Sequence, residues 1–321
     1  MAMSLDEFLA EWHSDSPYVR VQTSGSTGLP KPMLAEKRRM LASARITCDF
    51  LGLQPGDTAL LCMSLDYIAG KMMVVRTLER GLRLTTVDPS GHPLAAVSEP
   101  IDFAAMVPMQ VWNSLQVAEE RERLMRIRHL IIGGGAVDEA MAVALRAFPH
   151  AVWSTYGMTE TLSHIALRRL SGQEASEWYT PFPSVSVSLT DEGCLMIDAP
   201  EVCAERLVTN DVAELRPDGR FRILGRKDNV ICSGGIKIQA EEVERQLQGH
   251  LREPYLITKR RDAKFGEVVV LLTEGPADEA RQVCERILPK YHQPRVCLHV
   301  ERIPLTETGK PARKRAEALA Q

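Results

Sequence analysis

Apolar and polar positions change period along this chain, and those changes mark out its elements. Over residues 4–12, Leu5, Phe8, Leu9 and Trp12 recur at helical spacing, which predicts a short amphipathic helix. Residues 18–22 predict a strand. Residues 33–50 predict a helix that ends before Gly52, followed by a Pro55-Gly56-Asp57 turn. An alternation follows: strand 58–63, helix 68–80 stopped by Gly81, strand 82–87, strand 103–107, helix 109–125, strand 129–132, helix 138–148 and strand 151–154. Such alternation predicts a doubly wound, mostly parallel sheet that takes ligands at the carboxyl ends of its strands. From 184 to 224 the segments shorten around turns at Asp191-Glu192-Gly193 and Arg216-Pro217-Asp218-Gly219, predicting an antiparallel β subdomain. Beyond Gly225 a second, small α/β unit is expected, with helices 240–248, 278–288 and 311–319 and strands 255–259, 268–273 and 296–300. The expected class is α/β, with a large N-terminal domain over 1–226 and a small C-terminal domain over 227–321.

Composition narrows the function. The 321 residues are 45% apolar and 25% charged, as in ordinary globular chains, and the net charge of −3 leaves no basic footprint for nucleic acid. Seven cysteines without CxxC spacing speak against a disulfide framework or a zinc site. The first residues carry acids and lack the basic and apolar regions of a signal peptide, and no apolar run is long enough for membrane insertion. A soluble, cytoplasmic protein is expected.

Residues 23–31 read T-S-G-S-T-G-L-P-K. Gly25 and Gly28 let amide groups converge on an anion, Thr23, Ser24, Ser26 and Thr27 add hydroxyl donors, and Lys31 adds charge. This suits a phosphate-holding loop, although Pro30 before the lysine breaks the P-loop spacing, and alone the composition equally suits a solvated turn. Gly133-Gly134-Gly135 and Tyr156-Gly157-Met158-Thr159-Glu160 each follow an expected strand, so three loops are candidates for one rim.

Taken together, the motifs resemble those of the adenylate-forming superfamily of acyl- and aryl-CoA ligases, peptide-synthetase adenylation domains and luciferases. Residues 23–31 look like its phosphate loop and Tyr156–Glu160 like its Y-G-x-T-E motif. Thr209-Asn210-Asp211 fits T-x-D, and Gly225-Arg226-Lys227-Asp228 fits G-R-x-D. Residues 233–238 with Glu241 fit the first loop of the C-terminal domain, and Thr308-Gly309-Lys310 fits the terminal T-G-K. Six matches in order, from residue 23 to residue 310, carry the resemblance.

It implies an ATP-dependent acid–CoA ligase that forms an acyl-adenylate and then a thioester, with ATP, Mg²⁺ and coenzyme A as co-substrates. Joining two anions needs positioning and charge neutralisation. By resemblance, the loop with Thr23, Ser24, Gly25, Ser26, Thr27, Gly28 and Lys31 holds the β- and γ-phosphates. Tyr156 and Gly157 lie against the adenine, beside Gly133, Gly134 and Gly135. Thr159 bonds a phosphate oxygen, and Glu160 holds Mg²⁺. Asp211 takes the ribose hydroxyls, and Arg226 helps to fix the ribose and phosphate. Lys310 reaches between the carboxylate and the α-phosphate. Asp228 is the hinge of a mobile C-terminal domain that brings Ser233, Gly234 and Gly235 to CoA. Taken singly, each of these residues also has an ordinary structural reading: a turn for Asp211 and for Gly234-Gly235, a surface ion pair for Arg226-Asp228, a solvated charge for Lys310, a core aromatic for Tyr156. Two departures stand out. The phosphate loop begins near residue 23, where relatives carry a further segment, so a compact version of the large domain is expected. Tyr67 stands where some members have a histidine.

Within the superfamily the chain looks most like the o-succinylbenzoate–CoA ligases of menaquinone biosynthesis. Their substrate has one activated and one spectator carboxylate. Lys71 or Arg76 would pair with the spectator, an arginine in bidentate fashion. Ser163 and His164 would add donors, and Phe103 would line the acyl pocket. A helix-surface charge for Arg76 and a satisfied sheet histidine for His164 stand as equal alternatives. The partners implied are a small aromatic or acyl carboxylate, ATP and CoA, with neither nucleic acid nor membrane; a homo-oligomer is left open. Another aryl- or acyl-CoA ligase, an enzyme loading a carrier protein, and a non-catalytic nucleotide-binding module are the competing readings.

Overall fold

The computed structural model describes residues 3–22, 32–306 and 311–321. The chain divides into two compact units: Met1–Val187 with Ile197–Leu207 and Arg216–Phe221, and Ser188–Met196 with Val208–Leu215 and Arg222–Gln321.

The first unit opens with α1 (Leu5–His13), whose start is fixed by a capping box between Ser4 and Glu7. Next comes an antiparallel pair, β1 (Tyr18–Gln22) and β2 (Pro32–Glu36), in register Tyr18↔Glu36 to Gln22↔Pro32. The helical expectation from residue 33 is displaced here: α2 runs Lys37–Leu51. Val19 and Val21 of β1 and Ala35 of β2 are buried, and pairing with β1, with Val19 opposite Ala35, makes residues 32–36 a strand.

The main sheet is built from β3 (Thr58–Leu61), α3 (Ile68–Arg80), β4 (Arg83–Thr86), β5 (Phe103–Met106), α4 (Pro108–Gln116), α5 (Ala118–Arg126), β6 (His129–Ile132), α6 (Glu139–Arg146), β7 (Ala151–Gly157), β8 (His164–Arg169) and β9 (Thr180–Pro181). Its order is β4-β3-β5-β6-β7-β8-β9. The strands from β4 to β7 are parallel, and β8 and β9 are antiparallel. Side chains alternate across it: Ala59, Leu61, Phe103, Ala105 and Ile131 join the core under α2 and α3, while Leu60, Ala104, Met106, Leu130, Ile132 and Val152 join the core of α4, α5 and α6. Both faces are covered, as parallel sheets require. The chain leaves β3 for β4 on one side and returns to β5 on the other, so the strand order reverses between β3 and β5. Ligands of open α/β sheets bind at that point. One long helix was expected over 109–125; two short ones occur, interrupted at the β-branched Val117, which is extended at φ −108°.

A four-stranded sheet follows in the order β10 (Ser186–Leu189), β11 (Cys194–Asp198), β12 (Leu207–Leu215), β13 (Phe221–Arg226). The links between these strands are too short for a parallel crossover. The second unit also contains β14 (Val230–Ser233), β15 (Ile236–Gln239), α7 (Ala240–Leu247), β16 (Tyr255–Asp262), β17 (Gly266–Thr273), α8 (Ala277–Ile287), β18 (Val296–His299) and α9 (Arg313–Leu319). Its sheet runs β15-β14-β17-β16, with β18 parallel to β17. Among the described residues no helix is long and apolar enough to cross a membrane. All seven cysteines are free.

Candidate active site

In the first unit, the glycines and the aromatic motif occupy the carboxyl ends of adjacent parallel strands. Gly133, Gly134 and Gly135 follow β6. Gly133 donates its amide to the Met106 carbonyl at 3.1 Å, and a Cβ there would meet Thr155 Oγ1 of β7 at 2.4 Å. A larger residue at 133 would have to displace the Thr155 side chain. Tyr156 ends β7 half-buried, with ring contacts at 5.2 Å to Phe221 and 5.8 Å to Tyr179. Tyr179 and Phe221 stack on each other, and Tyr179 shares a hydrogen bond with Ser154 of β7. These two aromatics were not singled out in the sequence, because they lie far from Tyr156 along the chain.

Thr159, Glu160 and Thr161 form one tight turn after β7. Glu160 is exposed and Thr159 is buried. Thr161 closes the turn: its hydroxyl accepts from the Met158 amide at 3.0 Å and reaches the Ser163 carbonyl at 2.7 Å. Leu162 is held at φ +63°, the left-handed region that non-glycine residues avoid. Its buried side chain in the α2–α3 core holds it there. At Gly157 a Cβ would meet the Ser163 carbonyl oxygen at 2.2 Å and His164 Cα at 2.5 Å, so the register shift between β7 and β8 requires glycine. One strained turn thereby delivers Thr159 and Glu160 on one side and Ser163 and His164 on the other.

The acyl-pocket candidates separate. Phe103 is fully buried in β5 and belongs to the core with Met72, Met73 and Leu162. The Lys71 ammonium, buried in α3, donates to the Arg20 carbonyl at 2.8 Å and lies 3.8 Å from Glu11 and 5.3 Å from the Phe8 ring. It fastens α1 and β1 to α3, and burial pulls it below the ordinary lysine range. Arg76, five residues further along α3, is 2% exposed. Its Nη2 donates to Ser163 Oγ at 2.5 Å, its Nη1 faces only the Met73 sulfur at 3.9 Å, and its Nε has no partner among the described residues. No acidic side chain pairs with it there. Burial lowers this guanidinium to about 10. His164 contacts Ser163 Oγ through Nδ1 at 3.2 Å and Thr47 Oγ1 through Nε2 at 3.1 Å. Burial, with Arg76 nearby, holds its ring well below 6.5 and therefore neutral.

In the second unit, Arg226 bridges two carboxylates, Asp211 Oδ1 at 3.1 Å and Asp228 Oδ2 at 3.0 Å. Burial pulls this guanidinium down, and the bond to Asp228 with both negative charges more than offsets it. The Asp211 amide also donates to Thr209 Oγ1 at 3.0 Å, within β12. Asp228 sits in a single tight turn, Lys227–Asn229, between β13 and β14. Ser233, Gly234 and Gly235 form the β14–β15 hairpin. Both glycines have positive φ, 58° and 86°, as a two-residue hairpin turn demands, and both are exposed.

Thr23, Ser24, Gly25, Ser26, Thr27, Gly28, Lys31 and Lys310 lie outside the described residues. Among the described residues no group of three or more His, Cys, Asp or Glu could hold a metal ion. A single rim carboxylate such as Glu160 fits Mg²⁺, which takes one or two carboxylates and otherwise keeps waters and phosphate oxygens.

The AMP-binding enzyme family matches residues 5–201. The chain is 28% identical over 312 residues to the 2-succinylbenzoate–CoA ligase of Salmonella typhimurium, an alignment covering 89% of this chain and 65% of that protein. It therefore spans less than two thirds of that relative's length. It is 33% identical to an acyl-CoA synthetase (AMP-forming)/AMP-acid ligase II-like protein from Dyadobacter fermentans, whose crystal structure covers 98% of this chain and is itself covered to 92%, with a TM-score of 0.66. The o-succinylbenzoate coenzyme A synthetase of Bacillus subtilis, in complex with ATP and magnesium ion, shares the fold at 22% identity and a TM-score of 0.75, over 92% of this chain and 69% of that one. Motif order, sheet topology and the match over residues 5–201 agree: the chain belongs to the AMP-binding enzyme family.

Proposed function

We propose that this protein is an ATP-dependent acid–CoA ligase that activates a dicarboxylic aromatic acid, o-succinylbenzoate being the favoured substrate. The observation that carries the reading is Arg76: a buried guanidinium that lacks an acidic partner among the described residues and keeps an unpartnered Nε–H. Burying a cation without an anion is costly, and a spectator carboxylate would relieve that cost. Lys71 is the weaker choice, because the Arg20 carbonyl and Glu11 already occupy its ammonium. The similarity to 2-succinylbenzoate–CoA ligases over 89% of the chain supports the same substrate.

Activation requires the acid's other carboxylate to approach the α-phosphate of ATP. Lys310 would neutralise the two anions, and residues 23–31 would hold the leaving pyrophosphate. Tyr156, backed by Phe221 and Tyr179, offers a flat apolar surface for the base, and the glycines at 133–135 leave room beside it. Asp211, aligned by its bond to Arg226, would accept the ribose hydroxyls. Thr159 would donate to a phosphate oxygen. Glu160 would hold Mg²⁺, which would neutralise phosphate charge. For thioester formation we assign a mobile domain to residues 227–321, hinged at Asp228, with the exposed Ser233-Gly234-Gly235 hairpin meeting coenzyme A.

Thioester formation from ATP, Mg²⁺ and CoA, compared across o-succinylbenzoate, benzoate, salicylate and acetate, tests the reading. Preference for o-succinylbenzoate is expected, and it should collapse in Arg76→Lys. Pyrophosphate release without thioester would instead point to a carrier-protein thiol. Absence of acid-dependent ATP turnover would overturn the enzyme reading.

A further inference from the structure

The contacts of Arg76 continue past Ser163, and proton counting gives them a direction. Arginine only donates, so Arg76 Nη2 gives a proton to Ser163 Oγ at 2.5 Å. Ser163 Oγ lies 3.2 Å from His164 Nδ1, His164 Nε2 lies 3.1 Å from Thr47 Oγ1, and Thr47 Oγ1 lies 3.0 Å from the Ser43 carbonyl. Two arrangements are open to the neutral ring. If Nδ1 carried the proton, it would donate to Ser163, and the Ser163 hydroxyl would have no acceptor among the described residues. Thr47 would also have to turn away from the Ser43 carbonyl. If Nε2 carries the proton, every hydrogen finds an acceptor: Arg76 to Ser163, Ser163 to His164 Nδ1, His164 Nε2 to Thr47, and Thr47 to the Ser43 carbonyl. Leaving a buried donor unmade costs more than a made bond gains, so the second arrangement holds.

We propose that Ser163, His164 and Thr47 are positioning residues for Arg76. They form a one-way donor chain that fixes Nη2 of its guanidinium and leaves Nε–H, which has no partner among the described residues, for the non-reacting carboxylate of a dicarboxylic acid. The inference rests on the reading of Arg76 given above and deepens it. α2 supplies Thr47, α3 supplies Arg76, and β8 supplies His164 next to Ser163, so the guanidinium is held from two other elements. The chain ends on a helix backbone carbonyl, which cannot rotate away. A receptor held in this way loses little freedom on meeting its anion, which is where selectivity comes from.

Two measurements on the intact chain decide it. In a long-range ¹H–¹⁵N correlation spectrum of ¹⁵N-histidine-labelled protein at pH 6.5, assigned with His164→Gln, the ring should be neutral and protonated on Nε2. An Nδ1-protonated or a charged ring overturns the chain. In acid-dependent ATP–pyrophosphate exchange, the ratio of kcat/KM for o-succinylbenzoate to that for benzoate should fall about fivefold to tenfold in Thr47→Val and Ser163→Ala. Ser163→Thr should restore it. This ratio is insensitive to the folded fraction of a weakened variant. If Arg76→Lys loses the preference while Thr47→Val and Ser163→Ala keep it, the positioning role is wrong and the substrate reading stands. If Arg76→Lys keeps the preference, the reading of Arg76 itself is wrong, and the inference falls with it. If no acid supports exchange, the inference falls along with the enzyme reading.

Discussion

Replacing Arg76 with methionine should leave the protein as stable as before, or more so, while removing the preference for a second carboxylate proposed above. The side chain is 2% exposed and sits in the core with one hydrogen bond to Ser163 and no acid beside it among the described residues. Burial lowers the guanidinium to about 10, which at 1.36 kcal/mol per pKa unit corresponds to a cost on the order of 3 kcal/mol for carrying the charge into the fold. The sign follows from linkage. A base whose folded pKa is lowered destabilises the fold wherever it is charged, so the cost is present throughout the neutral range and lifts only above about 10. Against this stands the charged bond to Ser163, on the order of 1.5–3 kcal/mol. Methionine fills similar space without charge, so the net change lies between about 0 and +2 kcal/mol. At ~2–4 °C per kcal/mol for a region of this size, Tm should hold or rise by a few degrees. Arg76→Ala should fall instead, because it leaves a cavity worth ~2–5 kcal/mol. Differential scanning calorimetry with and without o-succinylbenzoate reads both effects. The wild type should gain ~2.7 kcal/mol at a hundredfold excess over Kd, and Arg76→Met should gain far less. A fall of ~5 °C or more in Arg76→Met without ligand would refute the reasoning and make Arg76 a structural tie.

Other outcomes follow from the same geometry. Gly157→Ala should cost ~3 kcal/mol in urea denaturation, because its Cβ would strike the Ser163 and His164 backbone at 2.2–2.5 Å; an unchanged midpoint would contradict the packing of β7 on β8. Stability should decline as pH falls below 6.5. Burial lowers both His164 and His129, so the unfolded chain takes up protons that the fold refuses, at up to ~1.4 kcal/mol per pH unit for each ring. His164→Gln should flatten this acid limb in thermal scans, and an identical slope would place the proton uptake elsewhere. Lys310→Ala should lower ATP–pyrophosphate exchange roughly 10²-fold or more while sparing thioester formation from supplied acyl-adenylate. Equal loss in both half-reactions would argue against a charge-neutralising role.

Much of the fold was legible because its signals are local. The strand at 18–22, the helix at 68–80 ended by Gly81, and the strand at 129–132 have the bounds that their pattern predicts. What escaped depends on partners outside the run itself. β2 is a strand because it pairs with β1, and β8 because β7 lies beside it; neither run carries an unambiguous period of its own. Gly234-Gly235 reads as a loop until Ser233 and Ile236 are seen paired, although a two-glycine turn between apolar runs is a hairpin signal. The glycine-containing motifs stood out because close packing restricts residue type, against the Thr155 side chain at Gly133 and against backbone at Gly157. The partners of Arg76 did not. Thr47 and His164 are 117 positions apart and meet only through the packing of α2 against β8, and no spacing rule anticipates that contact. Lys71 shows the converse: a cation singled out in the sequence as a substrate ligand turns out to hold α1 and β1 in position.

The most direct test of the central claim is acid-dependent exchange of labelled pyrophosphate into ATP by the wild-type protein and Arg76→Lys, with o-succinylbenzoate and benzoate supplied separately. The account predicts exchange in the wild type that strongly prefers the diacid, and a variant in which that preference is lost. Equal exchange with both acids in the wild type, or a preference that survives in Arg76→Lys, would contradict it.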